Sequence, residues 1–174
     1  MVRTKNLTFI PHVPEHLRAL MESSDAFQKC SGLRVANGVR EFLQAASPDF
    51  VAQLRQATAP DPWKFGFAIV HTAETLVIGM CGFTEPPNSD GMVEIAYSIA
   101  PAYQGRGYAT EAAETLVGFA INSGRVTKVC AYTLLETNAS TRVLEKCGFR
   151  KVGEITDLEG NHVWHWERRV KNDE

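Results

Sequence analysis

The chain has 174 residues, a length typical of one folded domain that buries about 70% of its unfolded-chain surface. With 44% apolar residues, 22% charged residues and a net charge of −2, its composition excludes a disordered chain and a strongly basic nucleic-acid-binding protein. No apolar run reaches the length of a membrane span, and the first residues lack the apolar core of a signal peptide. We therefore expect one domain over residues 1–174, in the cytoplasm, without membrane or nucleic-acid partners.

The N-terminal third predicts one short strand followed by helices. Residues 7–10 form a short apolar run that is typical of a strand. A helix is predicted from Pro14, because proline is well tolerated in a first helical turn. Ser47 and Pro48 have the pattern of an N-cap and a first helical residue, which predicts another helix. The proline-containing residues 59–63 are expected to end this helical part.

The middle of the chain predicts a hairpin, a two-faced strand and a long helix. Residues 65–71 and 76–83 are β-rich runs joined by a short polar link, which is typical of a hairpin. Apolar side chains alternate along residues 93–99, as in a half-buried strand. Residues 109–121 then repeat apolar side chains at helical spacing, and Gly124 supplies a C-terminal stop.

The C-terminal part completes an α+β pattern. Residues 128–134 predict a strand, residues 138–148 a short helix, and residues 152–155 and 162–170 a final hairpin. The order of elements predicts a central mixed sheet flanked by helices. Within it, the strands at residues 93–99 and 128–134 are expected to be parallel and joined by a right-handed helical crossover.

The cysteines and histidines do not indicate a metal site. No Cys-x-x-Cys pair occurs among the four cysteines, which are Cys30, Cys81, Cys130 and Cys147. Two of them lie in strand-like runs and Cys147 has helical spacing with apolar neighbours, so buried thiols are expected rather than ligands, disulfides or nucleophiles. His162 and His165 fall on opposite sides of their predicted strand. No metal is expected.

A glycine-containing turn stands between the two-faced strand and the long helix. Residues 104–109 read Gln-Gly-Arg-Gly-Tyr-Ala. A helix N-terminus presents unpaired N–H groups and about half a positive charge, which favours an anion there. Gly105 and Gly107 allow close backbone approach, and Arg106 adds a full charge. The turn matches neither a Walker P-loop nor G-x-G-x-x-G, and taken alone it is slightly more typical of an ordinary helix entrance than of an anion site.

The surrounding motifs resemble the GNAT N-acetyltransferases. Gln104-x-x-Gly107-x-Ala109 after a strand resembles the Q/R-x-x-G-x-G/A signature of that family. Residues 138–154 are similar to the N-x-x-S-x-x-x-x-E-K-x-G-F segment of the branch that includes ribosomal-protein N-terminal acetyltransferases, with its serine at Ser140. The resemblance covers residues 65–166. Ala96 replaces the glycine usual in this branch, and the usual R-L-x-L-R opening strand is not evident.

The resemblance implies a fold, a donor and a set of binding residues. The implied fold is a mixed, mostly antiparallel twisted sheet flanked by helices, and the implied donor is acetyl-CoA. The residues that it implies for coenzyme binding are Tyr97, Ser98, Ile99, Gln104, Gly105, Arg106, Gly107, Tyr108, Ala109, Thr110, Asn138 and Ser140.

Three polar residues have two interpretations each. Glu94 lies where the branch commonly has a glutamate, so it is either the base (acting directly or through water) or a solvent-facing carboxylate. Ser140 either donates to the departing sulfur or satisfies its own helix. Asn138 is an N-cap by position and a coenzyme contact by resemblance, and one residue can do both.

The expected activity is direct acetyl transfer to a primary amine in a ternary complex. The alternatives are a non-catalytic acyl-CoA-binding or sensing module and a structural protein whose glycine turn holds no ligand. The acceptor is left open among a protein N-terminus, a polyamine, an antibiotic and an amino acid. Whether the chain forms a homodimer is also left open.

Overall fold

A computed structural model of the chain describes residues 1–170, which contain nine strands and seven α-helices. The strands are β1 (Val2–Arg3), β2 (Leu7–Pro11), β3 (Arg34–Val35), β4 (Phe67–His71), β5 (Leu76–Phe83), β6 (Met92–Ile99), β7 (Lys128–Leu134), β8 (Arg150–Thr156) and β9 (His162–Arg169). The helices are α1 (Pro14–Glu22), α2 (Ser24–Ser31), α3 (Val39–Gln44), α4 (Pro48–Gln56), α5 (Pro62–Phe65), α6 (Tyr108–Asn122) and α7 (Ala139–Lys146), and a 3-10 turn covers Pro101–Tyr103.

The strands form one mixed sheet in the order β1-β2-β4-β5-β6-β7-β9-β8, with β3 beside β5. The β6–β7 and β3–β5 pairs are parallel and the other neighbouring pairs are antiparallel. The predicted α+β class, both hairpins and the parallel strands around α6 are therefore confirmed. None of the helices in residues 1–170 combines the length and hydropathy that crossing a bilayer requires.

The two faces of the sheet carry separate apolar clusters. On one face, α6 packs through Leu116 and Ala113 against inward-facing residues such as Ile95 and Val129. On the other face, the N-terminal helices pack through residues such as Leu17 against β4 and β5. The N-terminal helices cover β4 and β5 but do not extend over β7 and β9 on the same face. Side chains of those strands, such as Tyr132, therefore stay exposed.

The ends of three helices follow the signals predicted from the sequence. Ser47 caps α4 by accepting a hydrogen bond from the backbone N–H of Phe50. Gly124, with φ of 66°, follows α6. After α7, the Gly148 and Phe149 N–H groups donate to backbone carbonyls of the last turn, and the Phe149 side chain is buried.

One prediction in the N-terminal part is wrong, and four of its helices and strands were not predicted. Residues 59–63 do not end the helical part, because Asp61 accepts a hydrogen bond from the Trp63 N–H at 3.0 Å and caps α5. Gly66 then turns the chain at a φ of 68°, so β4 begins at Phe67 rather than at residue 65. Besides α5, the unpredicted elements are α2, which Ser23 caps in the same manner, and the two-residue strands β1 and β3.

Candidate functional site

The sheet opens between β6 and β7. The two strands pair only from Met92 to Glu94 on β6 and from Lys128 to Cys130 on β7. Beyond these residues β6 stays paired with β5 and β7 stays paired with β9. Glu94 therefore stands at the apex of a gap, and one backbone edge of each strand faces that gap.

The glycine turn forms the start of α6. Gly105 and Gly107 have φ values of 77° and 84°, which side-chain-bearing residues rarely adopt, and Gly107 is the N-cap without a side-chain hydrogen bond. A Cβ atom at either glycine would meet no other atom within 4 Å. Open space therefore lies in front of the first N–H groups of a 15-residue helix, as an anion would require.

A pocket of about 550 Å³ lies between the end of β6, the glycine turn and α7. Ten of the residues expected at the site line it, namely Tyr97, Ser98, Ile99, Gln104, Gly105, Gly107, Tyr108, Ala109, Thr110 and Ser140. Glu94, Arg106 and Asn138 are not among the lining residues. The Arg106 guanidinium instead donates to the Ala102 carbonyl at 3.1 Å and lies over the Tyr103 ring. The predicted roles of all these residues in binding or catalysis stay predictions.

Tyr97 and Ser140 meet in this pocket although they come from different elements. Burial raises the pKa of Tyr97 to about 12, and the neighbouring Ser140 hydroxyl partly offsets this rise. The Tyr97 phenol is therefore protonated at physiological pH. The pair places two neutral O–H groups where β6 faces the first turn of α7.

The sequence interpretation missed several lining residues, which are Phe42, Tyr103, Ala139, Arg142, Val143 and Lys146. Arg142 and Lys146 are four positions apart on α7, so they share one helix face. Helical spacing of three and seven from Ala139, the residue before Ser140, would have indicated that face. The two cations make this side of the pocket suitable for phosphate groups.

Glu94 is half-buried on the sheet face opposite Val93 and Ile95, as predicted. The Thr84 hydroxyl donates to its carboxylate at 3.2 Å. Burial raises the pKa of Glu94 above its usual value, Glu85 raises it further, and the Thr84 hydrogen bond opposes the rise. A carboxylate with a raised pKa at the apex of the gap has the properties of a general base.

Asn138 is confirmed as the N-cap of α7. Its side-chain oxygen accepts a hydrogen bond from the Thr141 N–H at 3.1 Å, and the Thr141 hydroxyl closes a capping box with the Asn138 N–H. This arrangement occupies the side-chain oxygen of Asn138. Its coenzyme contact stays a prediction.

The buried cysteines have the properties of structural thiols. Cys81, Cys130 and Cys147 are buried, and Cys30 is exposed. Burial raises the pKa of Cys130 to about 11 and that of Cys147 to about 12, and it raises the pKa of Cys81 as well. Among residues 1–170, no group of three or more potential ligands has the geometry to hold a metal ion.

Comparison with known proteins assigns the family. Residues 6–150 match the family described as Acetyltransferase (GNAT) domain. The chain belongs to the GNAT acetyltransferase family. The resemblance seen in the glycine turn is thereby confirmed, and the mixed sheet with flanking helices is the GNAT fold.

The individual proteins that this chain resembles have moderate to low sequence identity to it. The uncharacterized N-acetyltransferase p20 of Bacillus licheniformis is 30% identical over 93 residues, which is 53% of this chain and 52% of p20. The chain thus spans about half the length of the curated relatives it matches first. The putative ribosomal N-acetyltransferase YdaF of Bacillus subtilis is 26% identical over 159 residues, or 86% of each chain. RimL, a ribosomal L7/L12 alpha-N-protein acetyltransferase solved with coenzyme A, shares the GNAT fold with a TM-score of 0.65, 14% identity and 96% coverage of both chains.

Proposed function

We propose that this GNAT chain is an acyl-CoA-dependent N-acetyltransferase that moves the acetyl group of acetyl-CoA to a primary amine in a ternary complex. One observation carries the proposal. The N-terminus of α6, the β6 residues beside the gap and Ser140 all line a single pocket. Anion-binding N–H groups and the hydroxyl groups of Tyr97 and Ser140 therefore lie within the reach of one molecule. We further propose that the chain acts as a single domain in the cytoplasm.

The coenzyme would lie along the pocket with its phosphates at the glycine turn. The N–H groups behind Gly105 and Gly107 would hold the pyrophosphate by hydrogen bonds and by the helix dipole. Arg142 and Lys146 add positive charge from the opposite wall. The amides of the pantetheine arm would pair with the open edge of β6 at residues 97–99, as a further strand would.

The transfer needs a base, an oxyanion site and a hydrogen-bond donor to the leaving sulfur. Glu94, directly or through water, would take the proton of the acceptor amine, whose nitrogen then forms a bond to the thioester carbon. Backbone N–H groups of residues 97–99 would stabilise the developing oxyanion. When the carbon–sulfur bond breaks, the Ser140 hydroxyl, beside the Tyr97 phenol, would donate a hydrogen bond to the thiolate, which then takes up a proton from solvent.

The names of the relatives point to possible acceptors. YdaF is a putative ribosomal N-acetyltransferase, RimL is named for a ribosomal protein and other proteins of this fold are named spermidine N-acetyltransferases. Protein N-termini and small amines are therefore both candidate acceptors for this chain.

Steady-state kinetics with a thiol-release readout tests the route. We expect release of coenzyme A to depend on an amine, with intersecting double-reciprocal plots. Parallel plots, or an acetyl adduct on a cysteine that an added amine discharges, would replace direct transfer by a covalent route. Binding of coenzyme A without turnover of any amine would leave the acyl-CoA-binding module as the function.

A further inference from the structure

The strand register places three successive rows of side chains on the sheet face that carries Glu94. The first row contains Glu94, Cys130, Glu167 and, at its far end, Arg150. The second row contains Tyr132 and His165, and the third row contains Leu134, Val163 and Ile155. These rows lead away from the apex of the gap along β7, the strand that faces the gap from the other side.

Negative charge on this face is confined to the end at the apex. Glu94 accepts a hydrogen bond from Thr84 and forms no salt bridge with any residue in 1–170. Glu85 lies close enough to act on it electrostatically. Glu167, in contrast, is paired with the Lys128 ammonium at 3.1 Å. An incoming ammonium is therefore expected to pair with the Glu94 carboxylate rather than with that of Glu167.

The next two rows present mainly apolar surface, from the stacked Tyr132 and His165 rings and the aliphatic side chains beyond them, and they are partly exposed. The exposed fractions are 37% for Tyr132, 60% for Leu134 and 39% for Ile155, whereas Val163 between them is buried. The Tyr132 ring stacks on His165 with a centroid distance of 4.9 Å, so it is held against the sheet. Neither row contains a carboxylate. A second ammonium placed over these rows would lose water without gaining a counter-charge.

The dimensions of the apolar rows suit a small molecule. From Cys130 to Leu134 the strand rises about 13 Å, and β7 to β8 spans about 10 Å, which gives a footprint of about 130 Å². A stable protein–protein interface buries about 800 Å² on each partner. The footprint therefore matches a small amine rather than the surface of a protein.

We propose that Tyr132, Leu134 and Ile155 select as acceptor a small primary monoamine with an apolar body, and disfavour polyamines. The proposal rests on the proposed function, since it places the reacting amine beside Glu94. The apolar body then lies over the two apolar rows and buries them from water. A diamine would place its second charge over these rows, which contain no carboxylate.

Hexylamine and 1,6-diaminohexane form a matched pair of probes, because they differ only in the second amino group. We expect kcat/KM for hexylamine to exceed that for 1,6-diaminohexane by at least tenfold. Leu134→Glu should abolish or reverse this ratio by supplying a counter-charge to the diamine. The control is Leu158→Glu, at a fully exposed position in the turn between β8 and β9, and it should leave the ratio unchanged.

A second measurement separates this proposal from the proposed function. Calorimetry of hexylamine with the coenzyme A-loaded protein should show binding that Leu134→Glu weakens, whether or not acetyl transfer occurs. Binding without transfer would refute the proposed function and support the acceptor surface. Equal preference for the two amines, no hexylamine binding, or no effect of Leu134→Glu would overturn the proposal. A tenfold preference for the tetrapeptide Ala-Leu-Leu-Ala amide over hexylamine would overturn the choice of a small amine.

Discussion

The Nε2 atom of His71 lies 3.0 Å from the phenol oxygen of Tyr108, which joins the end of β4 to the first residue of α6. The backbone N–H of Glu74 donates to the Nδ1 atom of His71 at 3.3 Å, so Nδ1 carries no proton and Nε2 is the donor to Tyr108. Tyr108 then keeps its own hydroxyl proton for another acceptor. The Tyr103 phenol donates to the Glu74 carboxylate. The turn after β4 thus holds two tyrosines of the pocket wall.

Removing the His71 donor is expected to weaken coenzyme binding. His71→Phe keeps a ring beside Tyr108 but loses the hydrogen bond, so we expect coenzyme A affinity to fall about threefold to tenfold, the worth of about one hydrogen bond. Calorimetry of His71→Phe, Tyr108→Phe and the double variant provides a double-mutant cycle. If the two residues act as one unit, the double variant should be no weaker than the single ones. Strictly additive losses would mean that they act separately.

Gly107→Val should weaken coenzyme A binding by at least tenfold, or about 1.4 kcal/mol, because the added side chain would occupy the space in front of the α6 N–H groups. Gly124→Val is the matched control. Gly124 has a φ of 66° and open surroundings at the other end of the same helix, so the backbone strain is comparable. Both variants should lose stability in thermal unfolding, but affinity measured by calorimetry should fall at Gly107 alone. Unchanged affinity in a folded Gly107→Val protein would remove the pyrophosphate from this turn.

Glu94→Gln should lower kcat by roughly 10²–10⁴-fold with little change in coenzyme affinity, if Glu94 takes the acceptor proton. Because burial raises the pKa of Glu94, the acidic limb of the kcat/KM profile should lie above the usual range of a glutamate. Thr84→Val removes the hydrogen bond that opposes this rise, so the limb should move to higher pH. Wild-type turnover in Glu94→Gln would make Glu94 a surface carboxylate, and a fixed limb in Thr84→Val would assign the limb to another group.

His12 should make the protein less stable in acid. Its side chain is buried, its Nε2 atom has no hydrogen-bond partner within residues 1–170, and burial lowers its pKa from 6.5 to about 3. The unfolded chain therefore binds a proton between these values and the folded chain does not. The free energy of unfolding should fall as pH decreases from 6.5 towards 3, by up to about 1.4 kcal/mol per pH unit from this group.

Urea unfolding at several pH values measures this effect. His12→Leu should flatten the dependence by about one proton and leave stability at pH 7 equal or higher. The exposed His162 provides the control, since His162→Gln should keep the wild-type slope. An unchanged slope in His12→Leu would show that other groups cause the loss of stability in acid.

Elements whose signals are local could be predicted from the sequence alone. The alternation along β6, the helical spacing along α6, and the caps at Ser47, Asn138 and Gly148 depend on residues only a few positions apart. The glycine turn was predicted for the same reason, since its backbone conformation is set within six residues. α5 was missed because residues 59–63 have the proline-rich pattern of a loop. The four-residue helix depends on one capping hydrogen bond to Asp61, which that pattern does not indicate.

Only the tertiary structure decided which of these elements meet. Periodicity assigns a side chain to a face but does not identify the neighbour across a gap. After Glu94, β6 and β7 separate while they stay paired with β5 and β9. Tyr97 lies beside Ser140 at this opening, and Arg142 lines the same pocket. The contact between His71 and Tyr108, and the carboxylate-free rows beyond Glu94, likewise depend on strand register, which long-range backbone hydrogen bonds determine.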